Sequence, residues 1–247
     1  MPSARQSPAP TGHRPRMGEA EVELIRTWHE CVHEQIAEAA RSTRRLDYLG
    51  LDLLVPAGVV ATITPVSHLL GERVLAETRP GMRVLDLGTG CGSNAVLAAT
   101  RGADVLATDL NPAAVHAATA NAARNDVAGR VHGVVADGLA GIEGRFDLVV
   151  LDPPLRWFAP RDLLEAASTD QDYRFLRGVL NGVGRLLTPT GRVLVFFGDV
   201  GDVAFLRELL DQVGLDAEVV ALGRMFREGR GVDYVVHRAF PVLQPPT

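Results

Sequence analysis

Residues 83–99, RVLDLGTGCGSNAVLAA, constrain this chain more than any other stretch, because they read as a buried strand, a glycine turn and a helix in immediate succession. Val84, Leu85 and Leu87 surround Asp86 without the polar alternation of a half-solvated strand, the pattern of a central parallel strand covered on both faces. Gly88, Gly90 and Gly92 follow at alternate positions. A side chain there would hold the backbone away from a ligand, and glycine also accepts the positive φ that so tight a turn demands. The helix opening near Ser93 aims its free N–H groups at the same place. A nucleotide-like ligand is therefore expected at the end of this strand.

A dinucleotide fingerprint would be G-x-G-x-x-G, and its third glycine falls on Ser93. The residues present, D-x-G-x-G-x-G from Asp86 to Gly92, instead resemble the first motif of class I S-adenosylmethionine (SAM) dependent methyltransferases. The resemblance implies that Asp86 and the turn residues Gly88, Thr89, Gly90 and Gly92 hold the methionine part of SAM. Asp109 ends the next strand, Asp104–Thr108, about 20 residues past the glycine turn, where a carboxylate can accept hydrogen bonds from both ribose hydroxyls. Leu110 follows it at the same rim. The third strand, 131–136, ends in Asp137-Gly138; the resemblance implies contact with the adenine amino group, while a plain Asp-Gly turn would read the same. Upstream, Pro65 and Ser67 are similar to the P-x-T/S element of glutamine and adenine N-methyltransferases. Ser67 is accordingly either a SAM-side residue or simply the cap of a helix over 68–78.

The fourth strand, FDLVVL over 146–151, runs into Asp152-Pro153-Pro154-Leu155. This resembles the [DNS]-P-P-[YFW] motif of methyltransferases that act on nitrogens bonded to planar groups, adenine, guanine or glutamine amides. Such nitrogens are weak nucleophiles because their lone pairs are delocalised. Oxygens that accept the N–H bonds aim the lone pair at the sulfonium methyl, which is catalysis by positioning and electrostatics. The resemblance makes Asp152 the amine-orienting residue, with Pro153 stiffening the turn. The sequence departs from the motif at Leu155, so Trp157 or Phe158 could supply the missing aromatic face, or Trp157 could simply pack in a lid.

The rest of the chain fits an α/β, doubly wound, mostly parallel sheet of about seven strands, a Rossmann-like methyltransferase fold with an N-terminal helical extension. Residues 1–18, rich in Pro, Ser, Arg and Gly, are expected to be a disordered leader. Residues 19–64 would form the extension, with a helix from Glu19 to about Arg45, a short strand or hairpin over 47–54 and a loop over 55–65; residues 65–247 would be the methyltransferase domain. Helices are expected over 173–187 and 205–213, and a terminal strand pair over 217–222 and 232–238, separated by an Arg- and Gly-rich stretch. The first helix could pack on the catalytic domain or on a second copy of the chain. Within it, His29-Glu30-Cys31-Val32-His33 spells H-E-x-x-H. Its apolar stripe passes through Trp28 and Val32, leaving both histidines on a more polar face, and no third ligand follows. A plain amphipathic helix without metal is expected.

A formal net charge of −5 argues against a broad phosphate-binding surface, although Arg41, Arg44 and Arg45 could make a local patch. Two cysteines are too few for a disulfide framework. No apolar run approaches a membrane span and no signal peptide is apparent, so a cytoplasmic location is expected. The expected activity is SAM-dependent N-methylation of an amide, amine or heteroaromatic nitrogen on a small molecule or peptide. The alternatives are methylation of a protein glutamine or of ribosomal RNA, and a SAM-binding subunit without turnover.

Overall fold

The computed structural model describes residues 12–61 and 66–242. Residues 1–11, most of the expected leader, and Pro65 of the P-x-T/S element lie outside them. Helix α1 spans Glu19–Ala39, and a hairpin, β1 (Arg44–Tyr48) and β2 (Leu51–Val55), follows. Then come α2 (His68–Glu77), β3 (Arg83–Leu87), α3 (Ser93–Thr100), β4 (Asp104–Asp109), α4 (Pro112–Arg124), β5 (Val131–Val135) and β6 (Phe146–Leu151). The chain ends with α5 (Arg174–Val183), β7 (Leu187–Gly198), α6 (Val203–Gln212), β8 (Leu215–Arg227) and β9 (Arg230–Pro241).

Seven strands form one sheet in the order β5-β4-β3-β6-β7-β9-β8. The first five run parallel, and β9 is antiparallel to both neighbours. The chain starts in the middle at β3, builds outward to β5, then returns to β6 on the other side of β3. That reversal opens a crevice beyond the carboxyl ends of β3 and β6. The sequence explains why these strands are central: Val84, Leu85, Leu87 and all of 148–151 are at most 1% exposed. Residues of α2, α3, α4 and the β1–β2 hairpin share a core on one face, and residues of α5 and α6 share another on the opposite face.

Helix α1 touches both cores, Trp28 joining the first and Ile25 the second. Its apolar stripe is therefore used against its own domain. The helix stops at Ala39 rather than near Arg45, because the next residues turn into the hairpin. Leu49 (φ 49°) and Gly50 (φ 83°) at its tip have the paired positive φ of a turn that matches strand twist. The hairpin docks through Asn121, whose amide bonds both backbone groups of Leu54 and the carbonyl of Cys91 in the glycine turn.

Two further expectations are corrected. Residues 12–18 are not a loose leader: the backbone N–H groups of His13 and Arg16 donate to Asp172 (2.7 Å) and Asp202 (2.8 Å). The His13 ring also meets Asp202 at 2.9 Å and sits among Tyr173, Phe205 and Trp157. The Arg- and Gly-rich stretch 223–231 is not a separator but continuous strand, with its turn only at Glu228 and Gly229. Arg224 pairs with Asp233 across the ladder, and Gly223 lies where a Cβ would meet Leu69 at 2.8 Å.

Candidate active site

One cavity of about 860 Å³ lies along the carboxyl edge of the sheet and collects residues from five parallel-strand ends. Its first half is built on the glycine turn. Gly88 and Thr89 donate their N–H groups to the Thr108 carbonyl, at 2.9 and 2.8 Å, tying the turn to β4. Asp109 Oδ2 accepts from Gly90 N at 2.9 Å and Oδ1 from Asn111 N at 2.8 Å. Two backbone bonds thus fix the carboxylate at the cavity wall with further lone pairs left for hydroxyls. Gly88, Thr89, Gly90, Leu110, Asp137 and Gly138 also line this half, and Ser67 lies at its edge. Ser67 has helical backbone angles and no side-chain cap bond to α2; its carbonyl accepts from Tyr48 Oη at 2.9 Å.

Two members of the glycine motif are not at the cavity surface. Asp86 is 2% exposed, accepts from Thr89 Oγ1 at 2.6 Å and from the Ala95 backbone, and supports the turn from behind. Burial pushes its carboxyl up to about 6, with the Thr89 and Ala95 bonds opposing. Gly92 (φ 86°) is needed for packing, since a Cβ there would fall 2.5 Å from the Ala118 Cα. The expectation that these two residues contact the ligand directly gives way to a role in shaping the turn.

The second half is built on the turn after β6. Asp152, Pro153, Pro154 and Leu155 all line the cavity. The Asp152 side chain opens into it while protein encloses the carboxyl on the remaining sides; that enclosure, with Asp86 close by, pushes it up to about 7. Tyr48 stands near enough to feel its charge. The turn is held from outside by Tyr173, whose hydroxyl donates to the Leu155 carbonyl at 2.8 Å and accepts from Asp202 N at 2.8 Å.

Trp157 and Phe158 do not supply the aromatic face expected of them, for neither lines the cavity. Trp157 is 7% exposed and packs with His13, Phe158 and Tyr173, because the buried Arg156 before it takes the cavity side of the chain. Phe158 lies under Arg26 and beside His29. The aromatic wall comes instead from Phe196 and Tyr234, on adjacent β7 and β9, stacked with ring centres 5.7 Å apart and 11° between planes. Only the antiparallel pairing of β7 with β9 brings these two together, so no local motif announces them.

The cavity is bounded on its remaining side by α1, through Val32, Gln35, Ile36 and Ala39, and by the loop from Pro160 to Gln171. A buried link joins the two. His29 Nε2 meets Glu165 Oε1 at 2.8 Å, and Arg161 binds the same carboxylate while reaching Glu30 at 3.1 Å. His29 is thus not on a polar face: it is 2% exposed and committed to Glu165. Burial holds its imidazole below the usual value, with Glu165 opposing. Burial also works against the Glu165 charge, but hydrogen bonds from Arg161 and His29 prevail and hold that carboxyl down to about 2. The arginine patch dissolves as well: Arg41 pairs with Glu38 and Arg45 with Asp52, while Arg44 turns into the cavity.

The strand order, the glycine turn and the carboxylate at the neighbouring strand end together have the form of a class I SAM-dependent methyltransferase. The model of the methyltransferase small domain family matches residues 60–196, and the chain belongs to that family. A ribosomal protein L11 methyltransferase of Pelotomaculum thermopropionicum is 52% identical over 95 residues, 38% of this chain and 30% of that protein. A release factor glutamine methyltransferase of Cereibacter sphaeroides is 36% identical over 149 residues, 54% of this chain and 52% of that protein. The chain thus spans about half or less of the curated relatives it matches. Among solved structures, Methanocaldococcus jannaschii Trm5 in complex with adenosine has a TM-score of 0.60 at 15% identity, covering 83% of this chain and 57% of that one. At that identity the likeness is one of fold.

Proposed function

We propose that this chain transfers the methyl group of SAM to an amide, amine or heteroaromatic nitrogen of a small molecule or peptide. The observation that carries the reading is Asp152, open at the wall of the same cavity whose other half presents Gly88, Gly90, Asp109 and Asp137. The residues fit the cofactor. Asp109 offers its carboxylate to the ribose, Asp137 and Gly138 flank the place of the adenine, and backbone of the glycine turn faces the amino-acid end. Arg44, beside Cys91 of the turn and with its Nε buried and unpartnered, suits the cofactor's carboxylate. SAM supplies an electrophilic methyl on a sulfonium.

Asp152 accepts the acceptor N–H and holds the lone pair toward that methyl, and the Pro153-Pro154 turn fixes its direction. Phe196 and Tyr234 give a planar acceptor a face in place of the motif's aromatic. The bounding helix α1 and the 160–171 loop limit the acceptor to a small molecule or the tip of a peptide. A protein glutamine is the second reading, favoured by the release factor relative. An intact Asp152 speaks for turnover over a merely SAM-binding subunit. Calorimetry with SAM and S-adenosylhomocysteine tests the cofactor half. Transfer of label from SAM to a metabolite pool, compared with transfer to glutamine-containing peptides, tests the acceptor. Label reaching only RNA would reject both readings of the acceptor.

A further inference from the structure

The acceptor half of the cavity holds a positive charge that methyl transfer does not use. Arg156, directly after the Asp152–Leu155 turn, is 5% exposed and lines the cavity. Its Nε is buried without a hydrogen-bond partner, and its side chain makes no hydrogen bond or ion pair among the described residues, although its carbonyl accepts from Asp170 N at 2.7 Å. Arg227, from the end of β8, lines the same cavity, likewise has a buried Nε without a partner, and is close enough to act on the charge of Arg156. Five other arginines behave differently: Arg45, Arg161, Arg192, Arg224 and Arg238 each meet a carboxylate, and only Arg44, at the glycine turn, shares the unpartnered buried Nε among the described arginines.

A guanidinium taken out of water is costly unless an anion and its hydrogen bonds replace the lost solvation, so fully buried arginines are normally paired. Here burial pushes Arg156 down to about 10, and Arg227 pushes the same way while Tyr234 opposes. Two guanidinium groups on one cavity, each with an unpartnered buried Nε and no carboxylate partner among the described residues, are a half-made ion pair. The guanidinium fork matches the planar carboxylate and the phosphate group, which accept two parallel N–H bonds. The position separates this pair from the cofactor. Arg44 stands at the glycine turn, whereas Arg156 follows Asp152 and neighbours Tyr234 on the far side of β6.

We propose that Arg156 and Arg227 form a subsite for an oxyanion carried by the methyl acceptor, a carboxylate or a phosphate, so that the enzyme selects an anionic acceptor molecule. The proposal rests on the reading of this cavity as a methyl-transfer site. The oxyanion anchors one end of the acceptor on the guanidinium groups and leaves its nitrogen at Asp152.

The test uses the full chain saturated with S-adenosylhomocysteine and titrated with inorganic phosphate and, separately, with acetate. At least one is expected to bind saturably and raise the Tm, and the tighter of the two names the oxyanion. Arg156→Gln should weaken that binding about tenfold or more, and Arg227→Gln measurably, with affinity for S-adenosylhomocysteine unchanged. Neither oxyanion binding, or both binding equally to wild type and Arg156→Gln, would overturn the subsite. A second readout separates recognition from structure. In anion-free buffer Arg156→Met should have a Tm equal to or above wild type, since it removes an unpaired buried charge. A lower Tm would make Arg156 a structural residue and also overturn the proposal. Failure of the cofactor reading shows separately, as absent binding of S-adenosylhomocysteine.

Discussion

The two halves of the cavity are built on opposite principles. On the β3–β4–β5 side, backbone groups and a few carboxylates are already bonded to one another: Asp109 to Gly90 and Asn111, Asp86 to Thr89, and the turn to Thr108. On the β6–β7–β9 side, Asp152, Arg156 and Arg227 face the cavity, and the Nε of each arginine has no partner among the described residues. A site for one invariant ligand can be prepaid in internal hydrogen bonds, whereas a site for a particular acceptor leaves groups whose partners arrive with it. On the proposed reading, the first half is the general cofactor site and the second is where acceptor selectivity would reside.

The sharpest test of this division is Asp152→Ala. Methyl transfer should fall by ~10²-fold or more in kcat, as when a preorganised contact to a transition state is deleted, with SAM affinity nearly unchanged. Full turnover in this variant would reduce the turn after β6 to a structural element. The same carboxyl predicts a pH dependence. It is pushed up to about 7, so with a neutral amide or aromatic amine kcat/KM should climb as pH rises through about 7 and Asp152 ionises. Asp152→Asn should lose that limb of the profile and keep part of the rate.

The mirror experiment is Asp109→Ala, which should weaken SAM by about 1.5–3 kcal/mol, the worth of a hydrogen bond to a charged group. The effect should appear in cofactor binding by calorimetry. An unchanged Kd would break the assignment of the two halves. A smaller effect distinguishes the two aromatic groups. Tyr234→Leu should raise the acceptor's KM several-fold with little change for SAM, whereas Trp157→Leu should lower the Tm and leave KM alone. The reverse pattern would restore Trp157 as the acceptor's face.

The smallest expected effect concerns stability. His29 is held below its ordinary value of 6.5, so the unfolded chain takes up a proton that the folded one resists. Stability fully present above 6.5 should be lost as pH falls from there through the folded value, and His29→Gln should flatten that slope in a thermal melt.

The contrast also explains what the sequence could and could not disclose. The cofactor half is local: Asp86 to Gly92 lie within one turn, and Asp109 follows at the next strand end, so spacing alone carries the geometry. The sheet was equally legible, because strands buried on both faces must be uniformly apolar, as 148–151 are. What escaped were pairings between distant segments. Phe196 meets Tyr234 only because β7 pairs with β9, and His29 meets Glu165 only because α1 meets the 160–171 loop. Trp157 misled for the same reason: proximity in sequence to Asp152 suggested a shared cavity, but an aromatic cluster around His13, a residue 144 positions earlier, claimed the ring. Asp86 and Gly92 were found as motif members, but their roles depend on Thr89 and Ala118.

The bond between the Tyr173 hydroxyl and the Leu155 carbonyl has a practical corollary for anyone transplanting this catalytic unit. Tyr173 also receives the Asp202 N–H, and the Asp202 carboxylate in turn anchors Arg16 N and the His13 ring. A truncation that removed only residues 12–16 would keep every residue of the glycine motif and still sever these contacts. On the proposed reading, the shortened protein should bind SAM as before and lose methyl-transfer rate, because the turn after β6 loses its outer support.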